Sequence, residues 1–528
     1  MLGQLISKLR NEHWSVKYDI ENIIKDNLSI QEDTRPLRIL FAPSFAIYKP
    51  SFLNEQLIAT ILKEMGHQVV PILCDSAQVE ECNIIGGSWG KSKNRERSCK
   101  NCHKEQSAQW AKFEKKYLLS SYWDNKKHKF LKSEIASEVI STELEFSYNN
   151  IPFGYLAGEI LANNYQVSDV SLIHNYQEKL LFHILNLIML DAAYDKIIAE
   201  FQPDRAFSND TYYGMWHLFE TKCIANNIPS YNFWPATKDR VAFSKGAPSM
   251  YPNFGRVWER YRVKELTAEE IKRVDNWIAG NRLNMFDPHI PSPTKNNGVI
   301  SFDNKKPTAL LAANISWDLS ALNKQIIFTD MADWICETIK WFERQPDFQL
   351  VVKVHPLEVG KGFIPQTPDS VSSMISKCFD KLPHNVIFLD ANTTLTVSGI
   401  IDQFNLLGCV VHTSTVGYEL PLLEYPSITT AASPYRGLGF TIDPCTKNEY
   451  FNTLKLMLLG KLDINSKISK ELAYKYVNLY FFTHFMSLNG FVGTYKDLKE
   501  HQSLRSDLAN AESNIRRICD TIISGVDV

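Results

Sequence analysis

Short runs of apolar and β-branched residues alternate with stretches of helical periodicity along most of the chain. In the first half, residues 37–42 predict a strand, residues 51–65 a helix that ends at Gly66, and residues 68–73 a second strand. This order forms a βαβ unit, whose parallel strands are joined by a right-handed crossover. Helical periodicity returns at residues 175–201 and 213–226, and strands follow those helices at residues 205–209 and 230–233.

The second half repeats the alternation more clearly. Its strands are predicted at residues 308–312, 349–354, 385–389, 408–412 and 427–430, with helices between them. After about residue 461 the pattern is helical to the end, and its aromatic run at residues 474–485 is typical of a packing face. We therefore predict an α/β protein with two doubly wound, Rossmann-like domains that face each other across a cleft.

The domain boundaries follow from changes in composition. Residues 284–297 are rich in Pro, Asn and Ser, so we place the interdomain linker at residues 284–298. The first domain then covers residues 1–283, the second residues 299–460, and a C-terminal helical extension residues 461–528. The longest apolar region, residues 180–193, is too short to span a bilayer and predicts a buried helix.

Composition restricts the class of partner and the compartment. The 528 residues are 44% hydrophobic and 22% charged, with a formal net charge of -2, which argues against nucleic acid as the main partner. Residues 1–30 lack the pattern of a signal peptide, so we expect a cytoplasmic protein whose ten cysteines are thiols or metal ligands. Peripheral association with the inner face of the membrane stays open.

The strongest chemical signal is the end of the strand at residues 349–354. Lys353 and His355 are two residues apart, so along an extended chain both side chains project from the same face. Pro356 ends the strand, which places the pair at its carboxyl end, where open α/β sheets bind ligands. The alternative is a surface lysine beside a histidine with a structural role.

A second signal follows the strand at residues 408–412. Ser414 and Thr415 precede a helix that is predicted to run to about Glu424, and the unpaired N–H groups of a helix start favour an anion. Glu419, one turn further, is a candidate for a ribose hydroxyl. The alternative is that Ser414 or Thr415 only caps the helix.

Two loops supply further candidates. Asn314, Trp317 and Asp318 follow the strand at residues 308–312, where polar groups line the predicted cleft, although Asp318 is better explained as a helix cap. Arg436 lies on a glycine-rich loop, and its planar fork suits a phosphate or carboxylate. The alternative for Arg436 is a surface residue on that loop.

Four cysteines in the first half form a separate group. Cys74, Cys82, Cys99 and Cys102 lie within one connection, and the last two form a Cys-x-x-Cys pair beside His103. Such a set fits a structural zinc site or an iron–sulfur cluster. The alternative is a buried strand cysteine and three incidental thiols. The other six cysteines are scattered singly, as core residues are.

Together these motifs resemble the capsule polysaccharide biosynthesis family, which are bacterial glycosyltransferases that include the Kdo transferases of capsule assembly. The His-Pro and Ser-Thr pairing is also similar to that of bacterial sialyltransferases and polysialyltransferases. The matching pieces are Asn314-x-x-Trp317-Asp318, Lys353-x-His355-Pro356, Ser414-Thr415-Val416-Gly417-x-Glu419 and Arg436-Gly437-x-Gly439-Phe440.

The resemblance implies a GT-B fold, in which the C-terminal domain holds most of the nucleotide sugar. In that arrangement Lys353 and His355 would contact the donor phosphate and stabilise the negative charge on the leaving nucleotide, with His355 as a catalytic residue. Ser414 and Thr415 would bind the same phosphate, and Glu419 would bind the ribose. No Asp-x-Asp motif, a common holder of divalent metal in the other large glycosyltransferase fold, occurs in the sequence. We therefore expect no catalytic metal.

The base that activates the acceptor hydroxyl should come from the N-terminal domain. Asp210 is the first candidate and Glu159 the second, because a carboxylate within hydrogen-bond reach of the acceptor suffices. Asp210 also lies in an Asn-Asp-Thr sequence, which is a good turn and helix cap.

The predicted function is transfer of a sugar, with a CMP-activated acidic sugar such as Kdo favoured, to a surface polysaccharide or glycolipid. One alternative is a glycerophosphotransferase that uses a CDP-glycerol donor. Another is a nucleotide-binding subunit of a capsule assembly complex that has no catalytic activity.

Overall fold

The computed structural model describes two α/β units. The described residues are 35–79, 81–82, 85–88, 95–209, 214–235, 240–246, 248–252, 254–279, 303–318, 321–360, 365–488 and 512–526, with isolated positions at 24, 28, 506 and 508–510. The predicted linker at residues 284–298 lies outside them.

The first unit is built on a seven-stranded sheet in the order β12-β6-β5-β4-β1-β2-β3. The central strands β5, β4, β1, β2 and β3 are parallel neighbours, whereas β6 and β12 join the edge in antiparallel pairs. The strands are β1 Arg38–Phe41, β2 Gln68–Leu73, β3 Tyr117–Leu118, β4 Arg205–Asn209, β5 Ser230–Pro235, β6 Arg240–Lys245 and β12 Phe485–Ser487.

The second unit has a five-stranded, wholly parallel sheet in the order β11-β10-β7-β8-β9. Its strands are buried apolar segments, as expected for a sheet that helices cover on both faces. They are β7 Pro307–Ala312, β8 Gln349–Lys353, β9 Val386–Leu389, β10 Asn405–Val411 and β11 Ser427–Thr429.

The helices match most of the predicted periodic segments. They are α1 Lys49–Glu64, α2 Arg95–Gln109, α3 Asn125–Thr142, α4 Phe153–Tyr165, α5 Tyr176–Phe201, α6 Gly214–Ala225, α7 Gly255–Tyr261, α8 Ala268–Ala279, α9 Met331–Glu343, α10 Val371–Cys378, α11 Val397–Gln403, α12 Val416–Glu419, α13 Lys447–Leu458, α14 Ser466–Leu479 and α15 Asn514–Ser524. The segment predicted as a buried helix lies in α5, which packs at the centre of one hydrophobic core of the first unit.

The C-terminal segment returns to the first unit. The sequence predicted it to be wholly helical, which is wrong for residues 485–487, because they form β12 and pair with β6. Helix α15 packs against the face of the first sheet that lies opposite α5. Arg205 of β4 donates to the carbonyl oxygens of Ile522 and Ile523 in this helix, at 2.9 and 3.0 Å. The chain thus crosses between the units twice.

The aromatic run forms a packing face, as predicted. Tyr476, Tyr480 and Phe481 are buried, and they share a core with Phe254 and Trp258, which precede the second unit in the chain. Trp258 also donates from its indole nitrogen to the carbonyl oxygen of Leu438, at 3.1 Å. This core joins the two units, and the molecule has the GT-B-like architecture of two facing Rossmann-like domains with a C-terminal extension.

One prediction about the cysteines is wrong. Cys336 of α9 and Cys378 of α10 form a disulfide, whereas both were predicted to be single core thiols. Cys223, Cys409 and Cys519 are buried core residues as predicted, whereas Cys445 is exposed.

Among the described helices, none combines the length and the apolar character that a bilayer span requires.

Candidate functional site

Three neighbouring strands of the second sheet end side by side. Ala312 of β7 pairs with Lys353 of β8 on one side and with Val411 of β10 on the other. Neighbouring strands lie about 4.8 Å apart, so the ends of β8 and β10 are separated by about 10 Å with β7 between them. The loops after these strands carry His355, Asn314 and Ser414. The sheet therefore brings together three of the motifs that the sequence singled out.

His355 is held in one orientation by the chain that follows it. Its Nδ1 atom accepts a hydrogen bond from the backbone N–H of Leu357, at 3.2 Å. In a neutral imidazole the other ring nitrogen, Nε2, must then carry the proton. Burial, and after it the nearby charge of Lys353, lowers the pKa of His355 to about 4, so the ring is neutral at pH 7. His355 thus offers an N–H donor and no positive charge.

Lys353 supplies the cation of this site. Its side chain is partly buried at the end of β8, and that burial lowers the pKa of its ammonium group. Among the described residues its side chain has no hydrogen-bond or ion-pair partner. A desolvated cation without a counter-charge favours an anion, so Lys353 is the strongest feature for phosphate binding on this edge.

The loops after β7 and β8 are packed into each other. Ile315 and Trp317 form a small hydrophobic cluster with Leu357, which lies two residues after His355. The Trp317 indole nitrogen also donates to the hydroxyl of Thr367, at 2.9 Å. These contacts fix the backbone that positions His355. Asp318 was predicted to cap a helix, but the described residues that follow it, 321–323, form a turn.

Asn314 connects the ends of β7 and β10. Its Oδ1 atom accepts a hydrogen bond from the backbone N–H of Thr413, at 3.1 Å. The side-chain amide nitrogen has no partner in the part of the chain that the structure describes. Asn314 therefore holds the Ser414 loop in place and presents an N–H₂ donor at the same edge.

The Ser414 loop is supported from behind by Tyr435. The Tyr435 hydroxyl donates to the carbonyl oxygen of Ser414, at 2.6 Å, and the ring lies against Gly417, where a Cβ atom would collide with it. Ser414 and Thr415 remain partly exposed. The helix that follows, α12, has only four residues before a 3₁₀ turn at Pro421–Leu423.

Glu419 lies deeper than its predicted role requires. The residue is 4% exposed, and its negative charge contributes to raising the pKa values of Cys409 and Tyr418, for which burial is the main cause. Its contact with a ribose stays a prediction.

Arg436 is engaged in holding its own loop. One guanidinium nitrogen donates to the carbonyl and hydroxyl oxygens of Thr429, at 3.0 and 2.9 Å. The other donates to the carbonyl oxygens of Asp443 and Pro444, at 3.0 and 2.6 Å. These bonds engage both terminal nitrogens and close the loop between β11 and α13. The predicted phosphate contact of Arg436 stays a prediction.

Glu159 of α4 faces the second unit. It is 7% exposed, and the Tyr155 hydroxyl, one turn earlier, interacts with both the Glu159 carboxylate and the side chain of Asn323 from the second unit. Burial, and after it the negative charge of Glu159, raises the pKa of Tyr155. Glu159 therefore lies where the two units meet.

Two basic groups flank the Glu159 carboxylate. His217 of α6 places Nδ1 3.7 Å from Oε2 of Glu159, an oxygen atom that is buried without a hydrogen-bond partner in the described residues. Lys324 of the second unit is close enough for the charge of Glu159 to raise its pKa, although burial lowers it more. The sequence suggested Glu159 but did not point to Tyr155 on the same helix, or to His217 and Lys324, which belong to other elements.

Asp210, the first candidate for the base, lies outside the described residues. Strand β4 ends at Asn209, and α6 begins at Gly214. Its role stays a prediction.

A second contact between the units lies at the end of α4. Asp369, in the loop that precedes α10, accepts hydrogen bonds at Oδ2 from the backbone N–H and the hydroxyl of Ser168, at 2.8 and 2.6 Å. Asp369 is 3% exposed, and burial raises the pKa of its carboxyl group, an effect that the hydrogen bonds from Ser168 oppose. The two contacts hold α4 against the second unit on either side of Glu159.

The four N-terminal cysteines line one cavity, together with His103. The predicted tetrahedral zinc site is not formed, because among the described residues no group of three or more His, Cys, Asp or Glu side chains converges as ligands of a metal ion. Cys74 lies at the end of β2, Cys82 in the following loop, and Cys99 and Cys102 on α2.

Comparison with known proteins gives only distant similarities. No protein-family model matches the chain, and no curated protein does. The β-Kdo 2,4-transferase KpsC of Thermosulfurimonas dismutans is similar to 58% of this chain over 88% of its own, with 13% identity and a TM-score of 0.34. The UDP-GlcNAc 2-epimerase of Neisseria meningitidis matches 84% of this chain over 99% of its own, with 10% identity and a TM-score of 0.24.

A third solved structure, the glycosyltransferase SnogD of Streptomyces nogalater, matches 90% of this chain over 99% of its own, with 12% identity and a TM-score of 0.22. TM-scores this low leave function to be argued from the geometry of the site.

Proposed function

We propose that this protein is a glycosyltransferase that moves a sugar from a nucleotide donor to a surface polysaccharide or glycolipid. A CMP-activated acidic sugar such as Kdo is the favoured donor. The observation that supports this proposal is the edge of the second sheet, where Lys353, His355 and Asn314 present a cation and N–H donors beside the Ser414 loop.

The donor phosphate would lie over the end of β7, between β8 and β10. Lys353 would neutralise its charge, while His355 Nε2–H and the Asn314 amide donate to its oxygens. The hydroxyls of Ser414 and Thr415 would donate from the other side. When the bond between the sugar and the nucleotide breaks, negative charge grows on the leaving phosphate oxygen, and donors already in position stabilise it.

Glu159 would act as the base. Its carboxylate would accept the proton of the acceptor hydroxyl while that oxygen attacks the anomeric carbon and the nucleotide leaves with the bonding electrons. His217 and Tyr155 would act as positioning residues, because both lie against the carboxylate. This proposal moves the base from Asp210 to Glu159, since Glu159 faces the second unit.

The test begins with donor binding. Purified protein is screened by thermal shift with CMP, CDP, UDP and GDP in the presence of EDTA, since a ligand of the folded state raises the melting temperature by mass action. We expect CMP to give the largest shift. A charge-assisted hydrogen bond is worth about 1.5–3 kcal/mol, so Lys353→Met should weaken nucleotide binding roughly ten- to hundredfold.

Lys455→Met, an exposed lysine on α13, is the matched control and should bind like the wild type. If no nucleotide stabilises the protein, or if Lys353→Met binds as well as Lys455→Met, the phosphate site is wrong. The mass of the product then identifies the transferred group. Addition of glycerophosphate in place of a sugar would contradict the proposal.

A further inference from the structure

Lys324 lies near the proposed base, and the proposed transfer gives it no role. We infer that its ammonium group binds the carboxylate of the donor sugar, and that it selects donors in which this carboxylate is bonded to the anomeric carbon. The inference rests on the proposed function and deepens it, because it names the residue that distinguishes an acidic sugar from a neutral one.

The backbone around Lys324 is fixed by contacts within the second unit. Asn323, the residue before it, ends a turn and has a φ of 59°, in the left-handed region that asparagine tolerates. The carbonyl oxygen of Lys324 accepts a hydrogen bond from the backbone N–H of Ala432, at 2.7 Å. Gln325 forms an antiparallel bridge with Ala431. The loop after β7 is therefore joined to the chain that directly follows β11.

The side chain of Lys324 reaches the boundary between the two units. Its Nζ atom lies 4.9 Å from the centre of the Tyr251 ring, a distance at which a cation is attracted to the face of an aromatic ring. Tyr251 belongs to the segment after β6 of the first unit, and its hydroxyl donates to the carbonyl oxygen of Ala432. The ring thus holds the ammonium group where that segment meets the end of β11.

Lys324 is also close to the carboxylate of Glu159. The side chain of Asn323, one residue earlier, interacts with the Tyr155 hydroxyl, which in turn interacts with Glu159 on the same helix. Burial lowers the pKa of Lys324, and the charge of Glu159 opposes that shift. A partly buried ammonium group therefore lies beside the carboxylate that we propose as the base.

The chemistry of a 2-keto sugar acid favours a cation at this place. In such a sugar the carboxylate is bonded to the anomeric carbon, which is the atom that the acceptor hydroxyl attacks. The attacking oxygen approaches that carbon to about 3–3.5 Å while the base accepts its proton. The donor carboxylate and Glu159 are then two negative groups at one reacting centre, and they repel each other. The Lys324 ammonium group offsets this repulsion and donates a charge-assisted hydrogen bond to the donor carboxylate.

The two lysines of the second unit have separable roles. Lys353 lies at the end of β8, which is three strand spacings, or about 14 Å, from the end of β11 beside Lys324. Lys353 acts on the phosphate, which every nucleotide sugar carries. A neutral aldose has a hydrogen atom on its anomeric carbon in place of the carboxylate, so it gains no hydrogen bond from Lys324. Selection between acidic and neutral sugars therefore falls to Lys324.

The experiment measures the dissociation constants of three ligands for the full-length protein by calorimetry, with EDTA present and no acceptor. The ligands are CMP, CMP-Kdo and the methyl ester of CMP-Kdo, in which the carboxylate has lost its charge. We expect the wild type to bind the acid at least about tenfold more tightly than the ester, since the ester lacks the charged hydrogen bond. Lys324→Met should bind acid and ester equally and CMP like the wild type, whereas Lys353→Met should weaken all three.

Two control variants accompany these measurements. Lys324→Arg keeps the positive charge and should keep the preference for the acid, and Lys455→Met should bind all three ligands like the wild type. Wild-type protein that binds CMP but shows no preference for the acid, or Lys324→Met that retains the preference, would overturn the inference and leave the proposed function standing. Equal weakening of all three ligands in Lys324→Met would assign this lysine to the phosphate and overturn the inference as well. Absence of binding by any of the three would reject the proposed phosphate site together with the inference.

Discussion

Burial removes water from an ionisable group, which raises the pKa of acidic side chains and lowers the pKa of basic ones in this chain. Burial lowers the pKa values of His355 and His412 to about 4, and it raises that of Glu55 to about 8. The imidazoles are therefore neutral at pH 7, whereas the Glu55 carboxyl keeps its proton. His412 uses its ring to contact the carbonyl oxygen of Ala321, at 3.1 Å, which holds the loop after β7.

Glu55→Gln should change how stability depends on pH. Between the unfolded pKa of 4.5 and the folded pKa of about 8, the folded protein binds a proton that the unfolded chain has released. Stability contributed by this group is therefore complete below 4.5 and is lost as pH rises towards 8. Each unit of pKa difference corresponds to about 1.4 kcal/mol. As pH rises over this range, the free energy of unfolding of the variant should therefore fall by several kcal/mol less than that of the wild type.

Urea denaturation at pH 5 and pH 8 measures that difference. Glu138→Gln, at an exposed position of α3, is the control and should follow the wild type at both pH values. Parallel curves for Glu55→Gln and the wild type would show that Glu55 ionises normally in the folded protein.

Glu159→Gln should lower turnover by about 10²- to 10⁴-fold, the usual contribution of a general base. The amide keeps the shape of the side chain but cannot accept the acceptor's proton. Donor binding, measured by thermal shift with the nucleotide, should stay within about twofold of the wild type, because Glu159 belongs to the first unit and the proposed phosphate site to the second.

Asp210→Ala, assayed in parallel, separates the two carboxylates. A variant Glu159→Gln with normal turnover, together with an inactive Asp210→Ala that still binds nucleotide, would return the role of base to Asp210.

At the scale of elements, α15 stabilises a domain from which it is distant in sequence. Ile515, Ile518 and Ile522 are buried in the same core as β1 and α1. Their spacing of three and four residues places them on one face of the helix. Helix α15 therefore covers one face of the first sheet, although its residues are far from that sheet's central strands in sequence.

Ile518→Ala should destabilise the protein by about 2–5 kcal/mol, because the residue is fully buried and its loss leaves a cavity. The midpoint of urea denaturation reports the change. Ile224→Ala on α6 is the matched control, since Ile224 is 59% exposed and should change stability by no more than about 0.5 kcal/mol. Equal effects of the two substitutions would mean that α15 does not pack as described.

The predicted elements were those with an apolar pattern of their own. Strands β7, β8, β10 and β11 are buried on both faces, so each appears in the sequence as a continuous apolar run. Strands β6 and β12 were not predicted. Strand β12 is a three-residue edge strand, and its partner β6 lies far from it in the sequence. Residues 485–487 also follow an aromatic helix without a break in the pattern.

At the scale of the whole molecule, the two units meet on both sides of Glu159. One contact joins Tyr155 to Asn323, and the other joins Ser168 to Asp369. Tyr155 lies on α4 and Ser168 in the loop that follows this helix, so the two contacts lie before and after Glu159 in the chain. Any change in the angle between the units should therefore displace Glu159 relative to the edge that carries Lys353 and His355.

Asp369→Ala should raise the hydrogen-exchange rate of the Ser168 and Asp169 amides roughly tenfold or more, because both N–H groups donate across the contact to a carboxylate. Exchange measured by mass spectrometry on peptides that cover residues 166–172 reports the change. Asp333→Ala, which removes a carboxylate paired with Lys447 inside the second unit, should leave those peptides unchanged. An unaltered rate in Asp369→Ala would place the two units apart in solution.

The sequence by itself determined the α/β class, most strands of the second sheet and the Lys353–His355 pair, because strand periodicity and a strand-ending proline are local properties. It could not determine that His355 is neutral, that Arg436 is engaged by Thr429 and Asp443, or that Cys336 and Cys378 are bonded. These depend on burial and on neighbours distant in sequence. Only the tertiary structure brought Glu159 to the second unit with His217 beside it, because that position results from packing α4, α6 and the loop after β7 together.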